Sequence, residues 1–376
     1  MSLNGNLTQV IDRALAGQRI VGTVVLVAQD GHFVYRNAAG FADREAGIPM
    51  REDGIFRLAS LSKPMVAAAV LAAAEQGHLK LEDRVTKWLP EFQTALADGT
   101  RAEITLAQLL NHTAGLRYGF LEPEDGPYHR ANVSDGLDQP GLALDENLRR
   151  IASVPLAFQP GTAWGYSVAA DVAAAVLARA CDCSIPEAVA RFVTAPLAMK
   201  DTGFVLADPS RLVVPYADGA AGPVRMGELQ LVKMPYGPGS IRFAPARLFD
   251  RDSYASGGCG MVGTADDFAK FLETLRSGGN PILSATQVGA MTSNQTGTLG
   301  PRPGFAFGFG LSALTDPAAA QTPQSAGTFA WGGVYGHSWF VDPVKRLTVV
   351  ILTNTAIEGM AGQFPYQIRD AVYAAL

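Results

Sequence analysis

Three cysteines in 376 residues are too few, and odd in number, for a disulfide framework. Cys181-x-Cys183 has no second pair with which to build a zinc site, so Cys181, Cys183 and Cys259 read as small buried hydrophobes. That cysteine usage favours a cytoplasmic protein. No apolar run approaches the ~18 residues of a membrane span. The first residues, Met1 to Asn6, show neither the basic segment nor the apolar core of a signal peptide. The net charge is −5 and no basic stripe occurs, which argues against nucleic acid as a partner. Internal repeats and low-complexity tracts are missing. So is the G-x-S-x-G elbow of the Ser-His-Asp hydrolases: the nearest stretch, Gly336-His337-Ser338-Trp339-Phe340, lacks the second glycine.

What the chain has is apolar content. It is 48% hydrophobic and 17% charged, as suits a well-buried globular enzyme of one or two domains. Leu7 to Ala16 has helical spacing, Ile20 to Ala28 is β-branched, and Asp30-Gly31 is a turn before a second strand at Phe33-Val34-Tyr35. Phe41 to Gly54 reads as loop. From Ser60 to about Val205 the pattern is helical, with helices at Leu106–His112, Asp145–Ser153, Val168–Ala180 and Ile185–Thr194. Two long segments interrupt or follow it. Arg117 to Leu144 is rich in Gly, Pro and Asp, and its aromatics Tyr118, Phe120 and Tyr128 suit a pocket-covering loop. Val213 to Ser256 is proline-punctuated and without period.

Thr264 caps a helix to Leu275, and β-patterned segments follow at Gly304–Leu311, Gly327–Trp331, His337–Val341 and Leu347–Thr353. Pro365 to Leu376 closes as a helix. The order predicts an α+β fold whose sheet takes strands from both chain ends: residues 4–58 and 256–376 form an α/β domain, 59–255 a mainly helical one, and the active site lies between them.

The chemistry centres on Ser60-Leu61-Ser62-Lys63-Pro64. The run from Met65 to Ala74 is ten apolar residues, six of them alanine, and predicts a helix buried on all sides. Ser60 and Lys63, three apart on its first turn, would lie on one face, about 5–6 Å apart at Cβ. Serine becomes a nucleophile when a base takes its proton. Burial at the positive end of a helix is expected to lower the lysine pKa toward that role, and the free Ser60 N–H can face an oxyanion. On its own the tetrapeptide is also what a capping serine produces.

Three further stretches matter. Tyr166, in Pro160-Gly161-Thr162-Ala163-Trp164-Gly165-Tyr166-Ser167, can act as a phenolic acid or base beside a cation, or simply pack as an amphipathic aromatic. Trp331-Gly332-Gly333-Val334-Tyr335-Gly336-His337 suits an edge strand that offers the Val334 N–H to an oxyanion; its plainer reading is a turn. In Leu109-Leu110-Asn111-His112-Thr113-Ala114-Gly115-Leu116, His112 reads as a hydrogen-bonded structural residue.

With these four stretches in this order, the chain resembles the serine β-lactamase and penicillin-binding protein superfamily, in its class C-like branch, and is most similar to the family VIII carboxylesterases. Ser60-x-x-Lys63 matches the nucleophile motif, Tyr166-Ser167 the start of the tyrosine motif. Leu110–Leu116 and Ser256-Gly257-Gly258-Cys259-Gly260-Met261 match structural hallmarks. The resemblance implies a β-lactamase-like antiparallel sheet flanked by helices, with Ser60, Lys63 and Tyr166 catalytic, Ser60 and Val334 as oxyanion donors, and no metal or organic cofactor. Two departures stand out. Val168 occupies the position where β-lactamases of this type keep an Asn, and Trp331-Gly332-Gly333 stands for Lys-Thr-Gly. Both remove polar contacts to a charged antibiotic. With Tyr128 and Val168 added to Trp331, Gly332 and Gly333 as pocket residues, the expected activity is that of a serine esterase hydrolysing short-chain, neutral carboxylic esters through an acyl-enzyme on Ser60. The alternatives on the same fold are a β-lactamase, a D-amino-acid peptidase or an acyltransferase.

Overall fold

The β-branched run after Ile20 forms an inner strand of an eight-stranded antiparallel sheet. The computed structural model describes residues 2–376. In chain order the strands are β1 (Gly22–Gln29), β2 (His32–Asp43), β3 (Ile48–Pro49), β4 (Phe305–Phe307), β5 (Ser312–Leu314), β6 (Phe329–Gly333), β7 (His337–Asp342) and β8 (Leu347–Thr353). Their spatial order is β4-β5-β6-β7-β8-β1-β2-β3. Strand β1 pairs with β8 from the other end of the chain, Val25 opposite Ile351 and Val27 opposite Val349.

Both faces of this sheet are covered, which is why β1 and β8 are apolar without alternation. Val25, Val27 and Ile351 point into one cluster with Leu7, Ile11, Phe364 and Ile368. Those four come from helix α1 (Leu3–Ala16) and a C-terminal helix (Gln363–Tyr373). Val24, Leu26, Val350 and Leu352 point the other way, into the main core with Phe268, Leu272 and the helix that follows Ser60. That helix, α2 (Ser62–Glu75), is buried from Ser62 through Ala73, so its lack of a polar face is explained by burial on all sides. It packs beside α3 (Ala169–Cys181), the other alanine-rich helix.

Several elements differ from the sequence expectation. Strand β2 runs on to Asp43, and β3 follows it, where a loop was expected over Phe41–Gly54. Ala38-Ala39-Gly40 has little strand propensity, but Gly22 opposite Gly40 lets the two backbones close up and pairing prevails. The single strand expected over Gly304–Leu311 is instead the hairpin β4–β5. Gly310, with φ +78°, turns the chain where a Cβ would sit 2.7 Å from Ala67 Cβ, against α2. The helix expected to begin at Ser60 begins at Ser62, preceded by a 3₁₀ turn, Ala59–Leu61. The segment 117–144 carries short helical turns at Gly119–Leu121 and Pro127–Arg130. In the proline-punctuated connection, Gln230–Lys233 pairs with Ser240–Phe243 as a hairpin. No helix is long and apolar enough to cross a membrane.

Candidate active site

Ser60 sits on the 3₁₀ turn between a short strand, Phe56–Arg57, and α2. Ala59, the residue before it, has φ +47°, a left-handed conformation that costs a non-glycine residue of order 1–3 kcal/mol. The turn is held by Leu61 N–H to Leu58 O and by the Ser62 hydroxyl, which donates to Ala59 O. Lys63 is in the first turn of α2, buried to 1% exposure. Its Nζ donates to Ser60 Oγ at 3.0 Å and to Gly258 O at 2.9 Å. Tyr166 closes the arrangement, its hydroxyl donating to Ser60 Oγ at 2.7 Å. Lys63 Nζ also lies 4.8 Å from the centre of the Tyr166 ring.

The charge on Lys63 differs from the expectation. Burial alone pushes the ammonium down. The Tyr166 oxygen opposes it, followed by the Cys259 thiol and the Asp171 carboxylate, and together they carry the lysine above its ordinary value of 10.5. The hallmark Ser256-Gly257-Gly258 serves this arrangement. Asp171, a buried carboxylate in the alanine-rich helix α3, accepts from Ser256 Oγ, from Gly258 N–H and from Tyr254 Oη at 2.8, 2.8 and 3.1 Å. It thereby fixes the Gly258 peptide whose carbonyl receives Lys63.

Strand β6 reaches the Ser60 turn through glycine. A Cβ on Gly333 would lie 2.7 Å from Leu58 O and 3.0 Å from Leu61 Cδ1, so only glycine permits this approach. The next residue is Val334. Among the described residues, neither the Ser60 nor the Val334 N–H has a protein acceptor. Trp331 begins this stretch; its indole N–H donates to the Tyr166 oxygen at 3.3 Å, and its ring stands 5.2 Å from that of Tyr166. Gly332 pairs with Ser338 on β7.

Aromatic rings wall the site. Phe307 is 5.1 Å from Trp331 and Tyr118 is 5.0 Å from Tyr166, with Phe120 stacked on Tyr118 at 4.5 Å. His112 packs behind, its ring 4.9 Å from Tyr166 and its Nδ1 hydrogen-bonded to Ser167 Oγ at 3.2 Å. Burial holds it well below the usual histidine range, hence neutral.

Ser60, Lys63, Tyr166, Trp331, Gly333 and Val334 thus come together, whereas two expected pocket residues do not. Tyr128 is buried in the 117–144 segment, and its hydroxyl accepts from the Arg117 N–H at 3.0 Å. Val168 is fully buried at the head of α3, where its N–H donates to Arg117 O. Both are packing residues: the helix start that follows Ser167 turns Val168 into the core, and the loop ties Tyr128 down. Sequence reading missed Asp171 and Tyr254. The signal for Asp171 was there, as a carboxylate in an otherwise alanine- and valine-lined helix.

The beta-lactamase family model matches residues 7–373. The esterase EstB of Burkholderia gladioli is 51% identical over 379 residues, covering 99% of this chain and 96% of that one. The solved structure of EstCE1, described as a hydrolase with promiscuous acyltransferase activity, superposes with a TM-score of 0.94 at 45% identity, covering 99% of this chain and 98% of that one. Unliganded simvastatin synthase (LovD) from Aspergillus terreus shares the fold at a TM-score of 0.77 and 19% identity, covering 100% of this chain and 98% of that one.

Proposed function

The chain belongs to the beta-lactamase family, and from that premise we propose that it is a serine esterase that hydrolyses short-chain, neutral carboxylic esters through an acyl-enzyme on Ser60. The observation that carries this reading is the pair of hydrogen bonds to Ser60 Oγ, from Lys63 Nζ at 3.0 Å and Tyr166 Oη at 2.7 Å, beneath the Trp331 indole.

The steps follow from that geometry. In the reactive form the Lys63–Tyr166 pair is one proton short. That vacancy, shared between Lys63 and Tyr166, faces Ser60 Oγ and is what receives its proton. Tyr166 takes the Ser60 proton as Oγ bonds to the ester carbonyl carbon. The Ser60 and Val334 N–H groups hold the oxyanion, each such donor being worth about 10²–10³ in rate. The intermediate collapses, the carbon–alkoxide bond breaks, and Tyr166 returns its proton to the leaving alcohol. Water then attacks the acyl-enzyme as Tyr166 takes its proton, the carbon–Oγ bond breaks, and Tyr166 passes the proton to Ser60 Oγ as the acid leaves.

A bulky indole where a lysine would attract a substrate carboxylate supports a neutral ester over a β-lactam or a peptide. Acyl transfer to an alcohol is the second reading, favoured by the likeness to EstCE1; it predicts faster ester consumption when an alcohol acceptor is added. Ser60→Ala should abolish hydrolysis of p-nitrophenyl butyrate and the mass increment of an acyl-enzyme trapped with a slow ester. Substantial turnover in that variant would overturn the assignment.

A further inference from the structure

Arg57 is half-buried and Arg247 buried, and among the described residues neither is paired with a carboxylate. Arg57 donates from Nε and Nη2 to Pro245 O at 3.2 and 3.0 Å, and from Nη1 to Val213 O at 3.3 Å. Arg247, 8% exposed, donates from Nε to Asp138 O at 3.1 Å and from Nη2 to Tyr254 O at 2.8 Å. Aromatic faces add to this: Phe249 stands 6.0 Å from Arg57 and Tyr254 4.6 Å from Arg247. Carbonyl dipoles and ring faces offset part of a buried positive charge but supply no full negative one. A guanidinium has five N–H donors, so each arginine keeps donors to spare. The nearby acids are engaged elsewhere, Asp138 with the Ser134 hydroxyl and Asp171 with Tyr254, Ser256 and Gly258.

Both arginines line one cavity of about 40 Å³, together with Tyr335, Cys259 and Leu137. Tyr335 is 5% exposed, and among the described residues its hydroxyl has no hydrogen-bond partner. The cavity thus gathers two cations and a free hydroxyl donor, with no negative group opposite. At about 40 Å³ it has room for an ion or a group of a few atoms.

We propose that this cavity binds one small monovalent anion, a chloride or the carboxylate head of a small acid, between Arg57, Arg247 and Tyr335. The site is separate from Ser60 but mechanically close to it. Arg57 lies on the strand that leads into the nucleophile turn, Tyr335 follows Val334, and Cys259 follows the Gly258 that receives Lys63. An anion there ties together the segments that carry Ser60 and the Val334 N–H. The inference stands on charge and packing, independently of the ester reading.

Two measurements on the intact protein test it. In crystals soaked in sodium bromide, an anomalous bromine peak is expected between Arg57, Arg247 and Tyr335; data showing bromide elsewhere and only water in this cavity overturn the proposal. In solution, chloride or formate replaces gluconate, a much bulkier anion, at constant ionic strength. The Tm is expected to rise, by roughly 2 °C for each tenfold increase beyond half-saturation. A rise with chloride alone assigns a halide site, and one with formate alone assigns a carboxylate site. The rise should shrink in Arg247→Gln and in Tyr335→Phe; if Arg247→Gln does not fold, Tyr335→Phe carries the comparison. No rise in the wild type, or an equal rise in the variants, overturns the proposal.

Discussion

Tyr166 hydrogen-bonds Ser60 across 2.7 Å, although 106 positions separate them in the chain. The hydroxyl that meets Ser60 Oγ therefore comes from the loop before α3, while the lysine comes from α2, the helix that follows Ser60. Replacing Tyr166 by Phe removes the proton carrier and leaves the ring. We expect kcat on p-nitrophenyl butyrate to fall by about 10²–10⁴ with KM changed little. A loss under tenfold would assign proton transfer to another group.

Trp331 touches the same oxygen from the other side, at 3.3 Å. Trp331→Phe keeps an aromatic wall and deletes one donor to a charge-bearing oxygen. A hydrogen bond of that kind is worth about 1.5–3 kcal/mol, so kcat should drop roughly 10–100-fold. Trp331→Lys should also shift the ratio of kcat/KM toward a chromogenic cephalosporin and away from the ester, by restoring a cation beside the nucleophile. An unchanged ratio would remove Trp331 from the selectivity argument.

Gly333 is where β6 meets the nucleophile turn, 2.7 Å of notional Cβ contact from Leu58 O. Gly333→Ala must push the strand, and with it the Val334 N–H, away from Ser60. The expected result is a loss in kcat/KM of at least about 10²-fold, the effect of removing one oxyanion donor. The far-UV circular dichroism spectrum should stay native. Near-normal activity would show that Val334 does not hold the oxyanion.

His337 gives a pH dependence with a definite sign. Its Nε2–H donates to Arg57 O at 2.8 Å, while Nδ1 is buried without a partner, so the neutral ring is the form that fits. Burial lowers its pKa from 6.5 to about 4. Between those values the unfolded chain binds a proton that the folded chain refuses. The stability tied to the neutral ring is complete above pH 6.5 and is lost as the pH falls toward 4, by on the order of 3 kcal/mol. Asp135 works in the opposite direction, since burial raises its pKa to about 8. The contrast between wild type and His337→Gln isolates the histidine. In urea unfolding at pH 7.5 and 4.5, the wild type should lose more stability on acidification than the variant, and equal losses would refute this account.

The amino-acid sequence by itself determined which candidate reacting groups are present and the local elements that carry them. Serine, lysine and tyrosine are distinguishable as letters, and the alanine-rich run between Met65 and Ala74 has strong helix propensity along its whole length. The apolar strands from both chain ends were legible for the same reason, since burial on two faces leaves a run without alternation, as in Leu347–Thr353.

What only the tertiary structure decided are the quantities that act through space. The charge of Lys63 depends on Tyr166, Cys259 and Asp171, each more than 100 residues away, and the rule that burial lowers a lysine was outweighed by them. The burial of Val168 and Tyr128 follows from how α3 and the 117–144 segment pack, which their residue types do not specify. Pairing with β1 carried β2 through Ala38-Ala39-Gly40 against local propensity. Arg57 and Arg247, 190 positions apart, became neighbours of one cavity only through folding. Local propensity and functional-group chemistry are written residue by residue, whereas electrostatic fields and burial belong to the assembled chain.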